Sequence, residues 1–140
     1  MDFSQFPGIV ADDYKRNRKK LIRFVDNAMI SRGDIFNLVG EDGIEMMKIN
    51  HKNHAAFMHV IFLLKKFSLL EETLPWVYRS YHNHGFSYDY FPAVLNVWIE
   101  AIETYLHPEN ALPVIEVYKW LINNHDKTIK LSQLFKNTGR

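Results

Sequence analysis

The stretch "RSYHNHGFSYDYFPAV", residues 79–94, decides how the rest of the chain is read. His82 and His84 flank a turn, Gly85 punctuates it, and an aromatic-rich helix with Pro92 near its start follows. Glycine suits the left-handed residue that ends a helix. Proline is tolerated in a first turn. The stretch therefore predicts one helix ending at Gly85 and another opening after Ser87, a good capping residue. It also poses a chemical question, because two histidines at a corner are candidate ligands for a metal, a haem or an anion.

Working outward, apolar spacing is helical almost throughout. Upstream, a first helix is predicted from about Val10 to Met29. Val10, Tyr14, Leu21, Val25 and Met29 fall near one face, with the basic residues of "YKRNRKKLIR" on the other. "SRGD" breaks it, and "IFNLV" makes a short turn of helix. A second long helix is predicted from Gly43 to Phe67, with Ile44, Met47, Phe57, Met58, Ile61, Leu64 and Phe67 recurring at three and four. "SLLEET" reads as a loop, and a third helix runs from Pro75 to Gly85. Downstream, a fourth helix reaches Leu106, and a fifth, capped by Asn110, runs from Ala111 to about Phe135. No segment alternates strictly, so the expected fold class is all-α with short connections.

Length and composition set bounds. The 140 residues suit one domain over 1–140 and can bury a core without staples. Cysteine is absent, which excludes disulfides, thiolate metal sites and cysteine nucleophiles. The net charge of +1 supplies no overall field toward nucleic acid. The longest uncharged apolar run, "AAFMHVIFLL", is far too short to span a bilayer, and the N-terminus does not read as a signal peptide. A cytoplasmic protein is expected.

The order of helices and the register of "YHNHGFSYDYFPAVLNVWIEAI" resemble the corner between helices F and G of globins. Gly85, Phe86, Phe91, Pro92, Val94 and Leu95 stand in matching places. "HAAFMHVIFLLKKF" looks like the distal helix E and "ALPVIEVYKWLINNHDKTIKLSQ" like the last helix, so the resemblance covers residues 44–134. It departs at the position of the haem-ligating histidine, which is Tyr81 here. His82 lies one residue on, about 100° around the helix.

That departure makes the chain similar to the haem-free globin sensor domains, and within them to the stand-alone sporulation-inhibitory proteins of Bacillus. The resemblance implies a globin-like fold without haem and a homodimer through the last two helices. It implies a fatty acid in an apolar tunnel with an anion, chloride, nearby, and no enzymatic activity. It further implies a role in sporulation inhibition and signal transduction, by titrating signal away from a sensor histidine kinase. The tunnel residues carried over by register are Phe57, Met58, Ile61, Val77, Tyr81, Phe86 and Leu95. Lys52, His54, Arg79 and His82 are the polar or anion candidates. Val94, Trp98, Tyr105, Val117, Tyr118 and Leu121 are the candidates for the dimer interface, where aromatic residues are enriched.

Competing readings attach to the same residues. Tyr81 or His82 on iron would make a haem-binding globin sensor; a filled core would make a ligand-free helical interaction module. His51 and His54, three apart, read either as a polar, solvent-exposed helix start or as pocket lining. His82 and His84 read either as an anion site with Arg79 or as the cationic end of a helix complementing its dipole. The last two helices read either as an interface or as ordinary core. No Glu-x-x-His pairs, glycine-rich phosphate loop or G-x-S-x-G motif is present, so neither a metal site nor a catalytic apparatus is expected.

Overall fold

A computed structural model describes the backbone of residues 6–137 and the side chains through residue 134. Every regular element among them is helical: α1 (Gly8–Ile30), α2 (Ile35–Val39), α3 (Ile44–Leu64), α4 (Phe67–Asn83), α5 (Tyr90–Tyr105), α6 (Pro108–Asn123) and α7 (His125–Asn137). The first helix buries the expected stripe, Val10, Tyr14, Leu21, Val25 and Met29, and leaves its basic face outside. It packs across α3 and α5 and also touches α6, while α5 pairs with α6 and α4 with α7. The core is one continuous cluster running through all of these helices.

Two predicted boundaries fail. The fourth element starts at Phe67, so "SLLEET" is helix and Pro75 lies buried inside it. Phe67 and Leu70 are buried on the same side as Tyr78, and that apolar stripe outweighs the hydrogen bond Pro75 cannot donate. The last predicted helix is two, broken at Asn124, whose side-chain amide donates to the Trp120 carbonyl. Asn110 does not cap it. His107 does, accepting from the Glu109 amide with Pro108 at the first helical position.

Asn110 instead serves Asp13, a buried carboxylate on α1. Asp13 accepts from the Asn110 amide at 2.8 Å, the His107 backbone N–H at 3.0 Å and the Asn17 amide at 2.8 Å. A buried carboxylate must be compensated this fully to be tolerated. The result ties the start of α1 to the start of α6.

The corner that opened the reading is a complete left-handed cap. Gly85 has φ +95°, its N–H donates to the His82 carbonyl, and the Phe86 N–H donates to the Tyr81 carbonyl at 3.0 Å. Phe86 then packs its ring on Tyr81, 5.4 Å between centroids, which is the apolar contact that accompanies this cap. The Ser87 amide donates to the Leu38 carbonyl at 2.8 Å and pins the corner to α2.

Candidate functional site

Helices α3, α4, α5 and α6 enclose a cavity of about 70 Å³. Its walls are apolar and aromatic: Phe57 and Met58 from α3, Leu70, Leu74 and Val77 from α4, Phe91, Val94, Leu95 and Trp98 from α5, Leu121 from α6. Polar groups reach it from Asn50, His51 and His54 on the first half of α3, and from Thr73, Tyr78, Tyr81 and Tyr90.

Three tyrosine–histidine pairs surround this space. His51 donates from Nδ1 to the Asp26 carboxylate at 2.6 Å, and its Nε2 hydrogen-bonds the Tyr90 hydroxyl at 3.0 Å. His54 Nε2 lies 2.8 Å from the Tyr118 hydroxyl, which in turn lies 2.9 Å from the Tyr14 hydroxyl. The Tyr78 hydroxyl lies 2.8 Å from His125 Nδ1, and its ring stacks on Phe91 at 3.7 Å. Burial pushes the phenols of Tyr14, Tyr78, Tyr90 and Tyr118 up, and Tyr81 to about 12, so all stay protonated at neutral pH. Burial, helped by nearby His51, lowers His54 to about 3 and keeps it neutral. The site thus presents hydroxyls and uncharged imidazole beside hydrocarbon, a lining suited to binding rather than to generating a nucleophile.

Of the expected tunnel residues, Phe57, Met58, Val77, Tyr81 and Leu95 line the cavity. Ile61 is buried a turn beyond it, and Phe86 sits behind the wall against Tyr81 and Tyr90. The expected anion set does not assemble. Only His54 reaches the cavity. Lys52 faces an outer groove between α1 and α3. Arg79 lies over the Trp76 ring, 5.9 Å from its centroid. His82 donates from Nδ1 to the Phe86 carbonyl at 3.0 Å and stacks on Tyr88, while His84 donates to the Ser80 carbonyl at 2.8 Å. The lining residues of α4 follow the stripe 70, 73, 74, 77, 78, 81. Residues 79 and 82 fall one position past it, about 100° away.

The expected interface is also corrected. Val94, Val117, Tyr118 and Leu121 are buried within the single chain, and Trp98 is only 1% exposed. Tyr105 alone is accessible, at 37%, and packs edge-on against Phe24. These residues are crowded because α5 is enclosed by α1 and α6. The same enclosure overturns the exposed reading of His51 and His54.

The sequence reading missed Asn50, Tyr78, Tyr90 and Phe91 as lining. Part of the signal was available: Met47, His51, His54 and Met58 recur at four, three and four, so both histidines fall on the inward side of α3, His51 buried and His54 half-buried. No group of three or more histidine, aspartate or glutamate side chains able to hold a metal occurs among the described residues. Nor is any described helix long and apolar enough to cross a membrane. Comparison with family models, with curated proteins and with solved structures finds no match to the chain.

Proposed function

We propose that the chain is a haem-free, globin-like sensor domain that binds an apolar ligand, a fatty acid, in the cavity between α3, α4, α5 and α6. The observation that carries this reading is the cavity itself, walled by hydrocarbon and aromatic rings with a few polar groups entering from α3 and the tyrosines. The globin-like part is supported by the succession of a long α3, an α4 closed by Gly85, and an α5 with Pro92 in its first turn. Output follows the resemblance: inhibition of sporulation by drawing signal away from a sensor histidine kinase, with chloride bound near the lipid. A homodimer through the last helices has exposed apolar side chains to use, Leu112, Leu131 and Leu134.

The cavity is far smaller than the ~300–1,000 Å³ of ordinary ligand pockets. A fatty acid enters only if the wall yields, and the half-buried Phe57, Leu74 and Val77 are the side chains placed to do so. A haem fits worse. The His82 ring is turned onto Tyr88 and the Phe86 carbonyl, and Tyr81 is packed between Phe86 and Phe91.

Native mass spectrometry of the purified chain, with its visible spectrum, tests the reading. The expected result is a colourless protein carrying a fatty-acid mass that is released on denaturation. A haem mass with a Soret band overturns it, and a bare chain directs attention to a ligand-free interaction module.

A further inference from the structure

Outside the cavity, α1 and α3 form a second concavity, an open groove of about 410 Å³. Four cationic side chains line it, Lys19 and Arg23 from α1 and Lys48 and Lys52 from α3. Each pair is spaced four residues apart, so each stands one above the other on its helix face. Ile22 and Ile30 contribute apolar surface to the same lining. Apolar walls around like charges focus their field into the cleft.

The groove holds a single carboxylate, Asp26, and its Oδ1 is engaged by His51 at 2.6 Å. Lys48 has Glu45 beside it at a loose 3.8 Å. Among the described residues, Lys19, Arg23 and Lys52 make no ion pair. A protein with a net charge of +1 has acidic groups to spare for these cations, yet places none in the groove except the one held by His51.

We propose that this groove is a binding site for a compact ligand carrying two or more negative charges, with the chemistry of a phosphate ester or diphosphate. Asp26 repels any anion, but the four cations outnumber it, and two or more negative charges on one small group engage both cationic pairs at once. Arg23 supplies a planar fork that matches phosphate oxygens, and the lysines supply point charges around it. The proposal does not depend on what occupies the interior cavity.

Inorganic pyrophosphate titrated into the full chain, followed by calorimetry and by backbone amide shifts, is the test. Saturable binding at one site per chain is expected, with shifts at Lys19, Arg23, Asp26 and Lys52. The double substitution Arg23→Gln with Lys52→Gln weakens binding roughly tenfold or more, since charge-assisted hydrogen bonds are lost. Lys15→Gln with Lys20→Gln removes the same charge from α1 outside the groove and leaves affinity within about twofold. All four side chains are exposed, and unchanged thermal unfolding verifies that the variants fold.

Equal weakening by both double substitutions reduces the effect to diffuse charge and overturns the site, as does the absence of saturation. Vesicles of phosphatidylcholine with and without phosphatidic acid, whose headgroup is a phosphate monoester, identify the source of the phosphate. Vesicle binding that pyrophosphate competes away and the groove substitutions abolish assigns a lipid headgroup. Pyrophosphate binding without vesicle binding assigns a free phosphorylated compound.

Discussion

His54 and Tyr118, sixty-four residues apart, meet inside the protein with 2.8 Å between imidazole Nε2 and phenol oxygen. The imidazole ring leans on Trp98 at 4.7 Å between centroids, and Tyr118 passes the hydrogen bond on to Tyr14. One phenol therefore joins α1, α3 and α6. Tyr118→Phe keeps the ring and removes the junction, leaving two buried polar partners short of a bond. A loss of about 1–3 kcal/mol in urea unfolding is expected.

The same imidazole makes stability depend on pH. Its folded pKa of about 3 lies below the ordinary 6.5, so between those values the unfolded chain binds a proton that the folded chain refuses. His54 therefore takes nothing from stability above the unfolded value, and stability falls as pH drops below it. The limiting slope is about 1.4 kcal/mol per pH unit. His54→Gln can still hydrogen-bond Tyr118 but cannot be protonated. Urea midpoints measured from pH 7 down to about 5, above most carboxylate titration, should fall less steeply in the variant.

Trp98→Glu separates a core from an interface. With Trp98 enclosed in the single chain, the expected outcome is loss of the folded state, read as collapse of helical circular dichroism. Even Trp98→Ala should cost about 3–5 kcal/mol. A folded monomer in sedimentation would return Trp98 to a subunit interface.

Val77→Phe addresses the cavity. Val77 is half-buried and lines it, so a ring at that position occupies the space without replacing a fully packed side chain. The variant should keep its helicity and lose any co-purifying lipid in native mass spectrometry. Unchanged lipid stoichiometry would place the ligand elsewhere.

Asp13→Ala strips three hydrogen bonds from one buried carboxylate and leaves the His107 amide and the Asn110 side chain without their partner. A destabilisation of about 1–3 kcal/mol is expected in chemical unfolding. Asp13→Asn, which retains one acceptor oxygen, should recover part of it.

The helices that carry long apolar stripes were legible in the sequence. The first, third and fifth lie within about three residues of their predicted bounds, because helical periodicity and the Gly85 cap act locally. The start of α4 was not, since Pro75 suggested a beginning where tertiary burial of Phe67 and Leu70 sustains a helix already under way. Five of the seven residues expected from register line the cavity, and they are a minority of its walls. The polar partners did not: His51 with Asp26 and Tyr90, or His54 with Tyr118, are pairings between distant segments that no local pattern encodes. The crowding of α5 was visible, but one sequence does not say whether the same chain or a second copy covers a face.

The bonds from Asp13 to His107 and from Tyr14 to Tyr118 span 94 and 104 residues. Synthesis makes α1 before α5 and α6, and those partners emerge about a hundred residues later. Until α5 and α6 exist, the apolar stripe of α1 has only α3 to cover it, and its buried carboxylate and phenol have no mates. The nascent chain therefore carries an unfinished seam until α6 emerges, and closing it requires large loops to be ordered at once. Folding should be slow for a helical protein of this size, with the final docking of α1 onto α6 as the step that completes it.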